Sequence, residues 1–389
     1  MRRKIVVIGG GIVGSSIAAL LPDGVSVTVL DQGPAGRLAG STGHAPGFVG
    51  LLNEAPVLTE LARASAELYD DLELDGTRGF DRVGGVEVAD SPEAAEKLAE
   101  RAELAAAAGL PHRLLDAAET ASLAPDLINP ARCRAGLHFP ADGTARAGVI
   151  TAALRERSSA QFVPDAAVVG IDLRGDRVAA VRTGTETYPA DDVVLASGIW
   201  GPVVASLVDV QLPLTPVAHP YVYGPERASG PATPFVRWPE HHVYARDHGG
   251  RLGLGTYDHA PQPVPLDELG RNAEQPWPGE LFDDPVRRAM QLLPTPFDLA
   301  ERLNGVFAMT PDNLPFLGPV PHVPGLWSAV AIWVTAAGGA ARALVDQLLG
   351  AEPRFPDLHT LAPTRFAGQD PANLQARSLT LYNDIYASL

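Results

Sequence analysis

Residues 4–21 read KIVVIGGGIVGSSIAALL, and this stretch decides the fold. The apolar run at 5–8 has the length and β-branching of a buried parallel strand. Three glycines then stand where that strand would turn into a helix. We expect Gly9 to permit the tight turn, Gly11 to let a pyrophosphate approach the backbone, and Gly14 to let the helix pack closely against the strand.

The helix that follows would present free N–H groups and the positive end of its dipole to the phosphates, through Ile12 and Val13. A second strand is predicted at 25–30, and it ends on Asp31 and Gln32. An acid at this position accepts hydrogen bonds from a ribose hydroxyl in dinucleotide-binding folds. A lone glycine fingerprint is weak, but one framed by strand, helix, strand and acid favours a dinucleotide-binding unit over a glycine-rich loop in an unrelated α/β protein.

The overall composition excludes several classes of protein. Of 389 residues, 30 are Lys or Arg and 46 are Asp or Glu, and this acidity argues against a nucleic-acid partner. No apolar run approaches the roughly 20 residues that span a bilayer, and residues 1–4 do not read as a signal peptide. The single cysteine, Cys133, excludes an internal disulfide and a thiolate metal cluster. We therefore expect no membrane segment, no metal and a reducing cytoplasm.

A second cofactor element is predicted at residues 33–47, GPAGRLAGSTGHAPG, which are too rich in small residues for a helix or strand. Backbone amides and hydroxyls at Gly40, Ser41 and Thr42 would reach a pyrophosphate. Together with the N-terminal unit, the pattern G-S-T-x-H-A-x-G resembles the D-amino-acid-oxidase-like flavoproteins, and within them the dimethylglycine and sarcosine dehydrogenases. That resemblance implies FAD as the cofactor.

The same resemblance implies a covalent bond to the flavin. In the dehydrogenase group, the loop histidine is attached to the 8α-methyl carbon of FAD, and His44 stands at that place. The family usually has tryptophan before this histidine, whereas this chain has Gly43. Monomeric sarcosine oxidases use a cysteine shortly before T-P-D, where this chain has Gly305. The alternative is that His44 packs beside a non-covalent flavin.

Three later segments are expected to return to the cofactor. A strand candidate at 166–171 is followed by an apolar strand that runs into Ala-Ser-Gly at 196–198, and residues 310–318 match the family pattern T-P-D-x-x-P-x-x-G. A turn rich in small residues at 333–339 would bind the pyrimidine side of the flavin from a helix N-terminus. The dehydrogenase group often has histidine where Ala336 stands. The cofactor contacts expected in these segments are Ala167, Val168, Ser197, Gly198, Trp200, Asp312, Trp333, Val334, Thr335 and Ala336.

Residues 207–302 differ in composition from the preceding segments, because prolines separate several strand-like runs. We expect a mostly antiparallel sheet there that roofs the flavin ring and forms the substrate pocket. In one strand, Gly253 and Gly255 share a face and would leave room above a planar ring. The catalytic candidates on this sheet are His219, Tyr244 and Tyr257. Each of these side chains has the alternative of being an ordinary packed core residue.

The predicted fold class is α/β, with a Rossmann-like FAD-binding domain and a second, antiparallel-sheet-rich substrate domain, both built from discontinuous segments. The FAD-binding domain comprises residues 1–80, 142–206 and 303–350. The substrate domain comprises residues 81–141 and 207–302, and residues 351–389 form a C-terminal tail.

By resemblance, the leading function is oxidation of a secondary or tertiary amine, an N-methyl or cyclic amino acid, by hydride transfer to flavin N5 to give an imine. The alternatives are deamination of a primary amino acid and a non-catalytic FAD-binding electron-transfer subunit. The electron acceptor is either oxygen or an electron-transfer partner. Sarcosine oxidases use a lysine above the flavin for oxygen. Because the only lysines are Lys4 in the first strand and Lys97 on an exposed helix, a dehydrogenase or a slow oxidase is favoured.

Overall fold

The computed structural model describes residues 2–385. The first residue and the last four of the predicted tail lie outside that range. In chain order the strands are β1 (Lys4–Ile8), β2 (Ser26–Leu30), β3 (Phe48–Val49), β4 (Glu73–Leu74), β5 (Thr77–Arg78), β6 (Phe80–Asp81), β7 (Gly85–Ala89), β8 (Arg113–Asp116), β9 (Ala135–Phe139), β10 (Gly143–Ala145), β11 (Gln161–Val163), β12 (Val168–Arg174), β13 (Arg177–Thr183), β14 (Thr187–Pro189), β15 (Asp192–Leu195), β16 (Thr215–Tyr223), β17 (Phe235–Trp238), β18 (Val243–Asp247), β19 (Leu252–Thr256), β20 (Gln262–Pro263), β21 (Glu301–Met309), β22 (Phe316–Pro319) and β23 (Leu326–Val330). The α-helices are α1 (Ile12–Leu20), α2 (Pro56–Tyr69), α3 (Pro92–Ala107), α4 (Ala117–Leu123), α5 (Ala147–Arg157), α6 (Gly201–Ala205), α7 (Glu280–Ala289), α8 (Ala337–Leu349) and α9 (Pro371–Asn383).

The N-terminal unit forms the centre of a six-stranded sheet with the order β11-β2-β1-β15-β23-β22. Its strands are parallel except for β22, which runs antiparallel to β23. Helix α8 packs against α1 and α2, and α5 packs against α1. Alternate residues of β1 are buried on opposite faces: Ile5 and Val7 belong to one core cluster, and Val6 and Ile8 to another. Burial on both faces explains why this strand reads as a continuous apolar run.

The turn after β1 is shaped by close backbone approaches. Gly9 has a φ of +109°, and a β-carbon there would overlap the carbonyl oxygen of Ala196. A β-carbon at Gly14 would in turn overlap the carbonyl oxygen of Gly9. Glycine is therefore required at both positions, and the start of α1 lies directly beside the ends of two parallel strands.

A nine-stranded sheet forms the second layer. Its order is β20-β16-β19-β18-β17-β7-β9-β8, with β21 also paired to β16. The parallel pair β17 and β7 joins the segment 81–141 to the segment 207–302 within this sheet. The boundary predicted at residue 303 falls inside β21, which pairs with β16 along its full length, from Glu301 to Met309.

The predicted tail contains helix α9, which packs against β16 and β21. Tyr382 on this helix is fully buried. No helix within residues 2–385 combines the length and the apolarity needed to cross a membrane.

We expect Gly9→Ala to lower the free energy of unfolding by about 1 to 3 kcal/mol, because the added methyl group meets backbone atoms that cannot rotate away. The measurement is urea unfolding of the purified variant. Gly24→Ala is the matched control, since nothing lies within 4 Å of a β-carbon at that exposed glycine. Equal stability of the two variants would show that the turn after β1 tolerates a side chain.

Candidate active site

One large cavity of about 1240 Å³ extends from the β1–α1 turn to the inner face of the nine-stranded sheet. Its volume is larger than the ~300–1,000 Å³ of most small-ligand pockets. Nearly all of the residues predicted from the sequence line it: Gly9, Gly11, Ile12, Val13, Asp31, Gln32, Ser41, Thr42, His44, Val168, Ser197, Gly198, Trp200, His219, Tyr244, Tyr257, Asp312, Trp333, Val334, Thr335 and Ala336.

Two predicted cofactor contacts do not line the cavity. Ala167 is replaced there by its neighbours Ala166 and Val168, because successive side chains of an extended segment point to opposite sides. Gly14 lies inside α1, where its role is the close contact with Gly9 described above. As cofactor contacts both stay predictions, and their segments border the cavity.

At the β1–α1 end of the cavity, side chains accept hydrogen bonds from backbone amides. Asp31 accepts hydrogen bonds from the amides of Gly10 and Gly33, at 2.6 and 2.7 Å. The hydroxyl of Thr42 accepts one from Ile12 N at 3.2 Å. Each carboxylate oxygen of Asp31 keeps a further lone pair, which would accept the predicted hydrogen bond from a ribose hydroxyl.

Several polar groups in the cavity wall fit a large polar ligand such as FAD. The side-chain atoms Gln32 Nε2, Ser197 Oγ and Asn313 Oδ1 are buried, and none has a hydrogen-bond partner within residues 2–385. Buried polar atoms are normally paired, so a ligand that pairs them is expected. Asn313 and Ala331 also adopt positive φ values, +57° and +60°, and such strain clusters at binding sites.

His44 ends a short 3₁₀ turn that is attached to strand β21. The hydroxyl of Ser41 donates to Val306 O at 2.8 Å, and a β-carbon at Gly305 would lie 2.7 Å from His44 Nε2. Burial lowers the pKa of His44 below its ordinary value of 6.5, and the negative charge of Glu274 opposes that shift. The imidazole is therefore neutral at pH 7 and can act as a nucleophile.

The departure from the family pattern at Gly43 has a local cause. A β-carbon at Gly43 would overlap the carbonyl oxygen of Leu38. The loop folds back on itself at this point, so a tryptophan does not fit without a different loop path.

Side chains from neighbouring strands form a row across the nine-stranded sheet. Tyr221 pairs with Gly255, Gly255 with Tyr244, and Tyr244 with Arg237, so their side chains share one face. A β-carbon at Gly255 would overlap the ring of Tyr244, and one at Gly253 would overlap the ring of Tyr221. The interpretation that these glycines leave room above a flavin ring was wrong, because tyrosine rings fill that space.

His219 lies at the centre of a buried aromatic cluster. Its Nε2 is 2.7 Å from the hydroxyl of Tyr244, and its Nδ1 is 2.7 Å from the hydroxyl of Tyr382. The ring of Tyr257 lies beside it, with 4.2 Å between ring centroids. Burial holds the pKa of His219 well below 6.5, and the neighbouring His259 and His44 add to that shift. His219 is therefore uncharged at physiological pH.

Arg237 brings a positive charge to the cavity wall. Its Nη1 lies 3.9 Å from Glu87 Oε1, and Glu87 accepts two hydrogen bonds from Arg101, at 2.6 and 2.9 Å. Burial raises the pKa of the nearby Asp142 to about 7. Arg237 and Arg101 both lie close to Glu87, and Arg237 contributes its guanidinium to the cavity wall.

Sequence reasoning missed Arg237 and Tyr382. A signal existed for Arg237, which is a lone cation between apolar residues in the strand FVRW. No signal placed Tyr382, because its contacts depend on where α9 docks. Within residues 2–385 no group of three or more His, Cys, Asp or Glu side chains is arranged to hold a metal ion.

Residues 4–347 match the DAO family, FAD dependent oxidoreductase, and the chain belongs to this family. The resemblance stated from the sequence motifs is confirmed, and so is the α/β fold class.

The chain is similar to several curated enzymes. It is 28% identical to mitochondrial dimethylglycine dehydrogenase of Homo sapiens over 94% of this chain and 44% of that protein. It is 30% identical to mitochondrial sarcosine dehydrogenase of Mus musculus over 83% and 37%, respectively. It is 28% identical to 4-methylaminobutanoate oxidase (formaldehyde-forming) of Paenarthrobacter nicotinovorans over 99% and 48%. The chain thus spans less than half the length of these relatives.

Solved structures share the fold along nearly their whole length. L-proline dehydrogenase from P. horikoshii has a TM-score of 0.83 at 20% identity, covering 94% of this chain and 98% of that one. Glycine oxidase from Geobacillus kaustophilus has a TM-score of 0.79 at 23% identity, covering 94% and 100%. The chain therefore has the same fold as these two proteins.

Proposed function

We propose that the protein oxidises a secondary or tertiary amine of the N-substituted amino-acid type. The observation that carries the proposal is the position of Arg237 and Tyr244 as cross-strand neighbours on one face of the cavity. FAD, when bound, would accept a hydride from the carbon next to nitrogen, which would leave an iminium ion, and a secondary amine would also lose its N–H proton to give an imine. A site for a carboxylate beside a site for an amine matches an amino acid.

Arg237 would hold the substrate by its carboxylate, through two charge-assisted hydrogen bonds of the planar guanidinium. That anchor fixes the distance from the carboxylate to the amine, so the reacting carbon is oriented relative to the row of Tyr244 and Tyr221. The buried aromatic surroundings of His219 would disfavour an ammonium charge, and an amine must be neutral to give up a hydride.

The names of the relatives support this substrate class. Dimethylglycine, sarcosine and 4-methylaminobutanoate each carry an N-methyl group and a carboxylate. Glycine oxidase of Pseudomonas aeruginosa, 25% identical over 91% of this chain and 96% of that protein, keeps primary amino acids as the second candidate.

The charges in the cavity wall bear on the electron acceptor. Both lysines, Lys4 and Lys97, are exposed, and neither lines the cavity. His219 is neutral, so it supplies no resident positive charge for superoxide. We infer a dehydrogenase or a slow oxidase, with an electron carrier or oxygen as acceptor.

The test of the function is anaerobic mixing with matched amines while the flavin absorbance is followed. We expect N-methyl or cyclic amino acids to bleach the flavin, and the same amines without a carboxylate to fail at equal concentration. Arg237→Gln should weaken the response to the carboxylated amines by about 100-fold, because a buried charge pair is lost. Arg174→Gln, on an exposed strand position, is the control and should leave it unchanged. Bleaching only by primary amino acids would select the second candidate, and bleaching by none would favour an electron-transfer subunit.

We further propose that His44 carries the flavin covalently. The neutral imidazole lines the cavity, and its loop is attached to β21 through Ser41. Acid precipitation should leave the yellow colour in the protein pellet, with a mass equal to polypeptide plus FAD less the two hydrogens that are lost when the bond forms. His44→Ala should release its flavin into the supernatant, while His322→Ala should retain it, since His322 does not line the cavity. A wild-type mass equal to the bare polypeptide would contradict the bond.

A further inference from the structure

A buried hydrogen-bond chain connects the cavity to helix α9. It runs from the Tyr244 hydroxyl to His219 Nε2, from His219 Nδ1 to the Tyr382 hydroxyl, and from that hydroxyl to His259 Nε2, with lengths of 2.7, 2.7 and 2.8 Å. His259 Nδ1 ends the chain at the carbonyl oxygen of Ala260, 2.9 Å away. All four side chains are buried.

The carbonyl at the end of this chain determines the direction of every bond in it. A carbonyl oxygen only accepts, so His259 Nδ1 carries a hydrogen. Burial lowers the pKa of His259, so the ring is neutral and its Nε2 can only accept from Tyr382. The single hydrogen of the Tyr382 hydroxyl is then used, and that oxygen must accept from His219 Nδ1. His219 is also neutral, so its Nε2 accepts from Tyr244.

We propose that Tyr382 and His259 are positioning residues that fix His219 as the Nδ1-protonated tautomer, so that the Tyr244 oxygen offers only lone pairs to the cavity and selects a substrate amine that still carries an N–H. The inference deepens the proposed function and rests on it for the substrate class. It narrows that class to secondary amines, because the neutral form of a tertiary amine has no hydrogen to donate.

Hydrogen bonds to the neighbouring backbone hold the C-terminal end of α9 in place. Asn383 Nδ2 donates to the backbone oxygens of Tyr257 and His259, at 3.1 and 2.7 Å. These bonds hold the helix against the segment that follows β19, which carries two members of the aromatic cluster. The position of the Tyr382 hydroxyl between two imidazoles is therefore fixed by backbone contacts as well as by its own bonds.

The tautomer is tested directly by long-range proton–nitrogen NMR of the holoprotein labelled with nitrogen-15 in histidine, with His219→Gln to assign the signal. We expect a protonated Nδ1 and an unprotonated Nε2 on His219, and a mixed or reversed pattern in Tyr382→Phe. Tyr188→Phe, on a separate three-stranded sheet, is the control and should leave the signal unchanged. A wild-type His219 protonated at Nε2 would overturn the proposal without any variant having to fold.

The substrate preference is tested by anaerobic flavin reduction with an N-methyl amino acid and its N,N-dimethyl counterpart. One hydrogen bond in favour of the secondary amine corresponds to a preference of about fivefold to tenfold in the wild type. We expect Tyr382→Phe to bring the ratio of the two reduction rates, N-methyl over N,N-dimethyl, close to one. Tyr188→Phe should keep the wild-type ratio. Equal rates for both amines in the wild type would overturn the selection by Tyr244. If no amine reduces the flavin, the proposed function fails, while the NMR result still decides the tautomer.

Discussion

Two parallel strands end so close together that no side chain fits between them, and the rest of the structure depends on this approach. The backbone of Gly9, after β1, lies against the carbonyl oxygen of Ala196, after β15. The contact places the N-terminus of α1 and the buried hydroxyl of Ser197 at the same edge of the sheet. Carboxyl ends of parallel strands beside a helix N-terminus form an anion site, so we expect the FAD phosphates to bind at this edge.

The opposite wall of the cavity is determined by pairing between strands that are distant in sequence. Register aligns Arg237, Tyr244 and Tyr221 on one face of the antiparallel sheet, and pairing of β21 with β16 places His219 opposite Gly305. Buried polar groups are costly unless each one has a partner. The hydrogen bonds among tyrosines and histidines meet that requirement inside the protein, which leaves a neutral aromatic wall with the guanidinium of Arg237 at its side.

Features that depend on residues close together in the sequence could be predicted. Contacts that depend on strand register or on the docking of a distant helix could not. Asp31 was placed at the strand end because a fingerprint of glycines and alternating residues specifies that turn. Ala167 does not line the cavity although both of its neighbours do, because successive side chains of an extended segment point to opposite sides. Arg237 and Tyr382 were not predicted as site residues, because their neighbours come from strands and a helix that are distant in the sequence. The glycine at 43 looked like a defect in the motif until the path of the loop showed that a larger residue would meet Leu38.

The central claim is that one cavity holds FAD at its β1–α1 end and an amino-acid carboxylate at Arg237. The most direct measurement is a crystal structure of the holoprotein with an unreactive carboxylate analogue of an N-methyl amino acid. We expect the pyrophosphate at the N-terminus of α1, the flavin ring facing His219 and Tyr244, and the carboxylate bonded to Arg237. An analogue bound away from Arg237, or a flavin that does not reach the nine-stranded sheet, would contradict it.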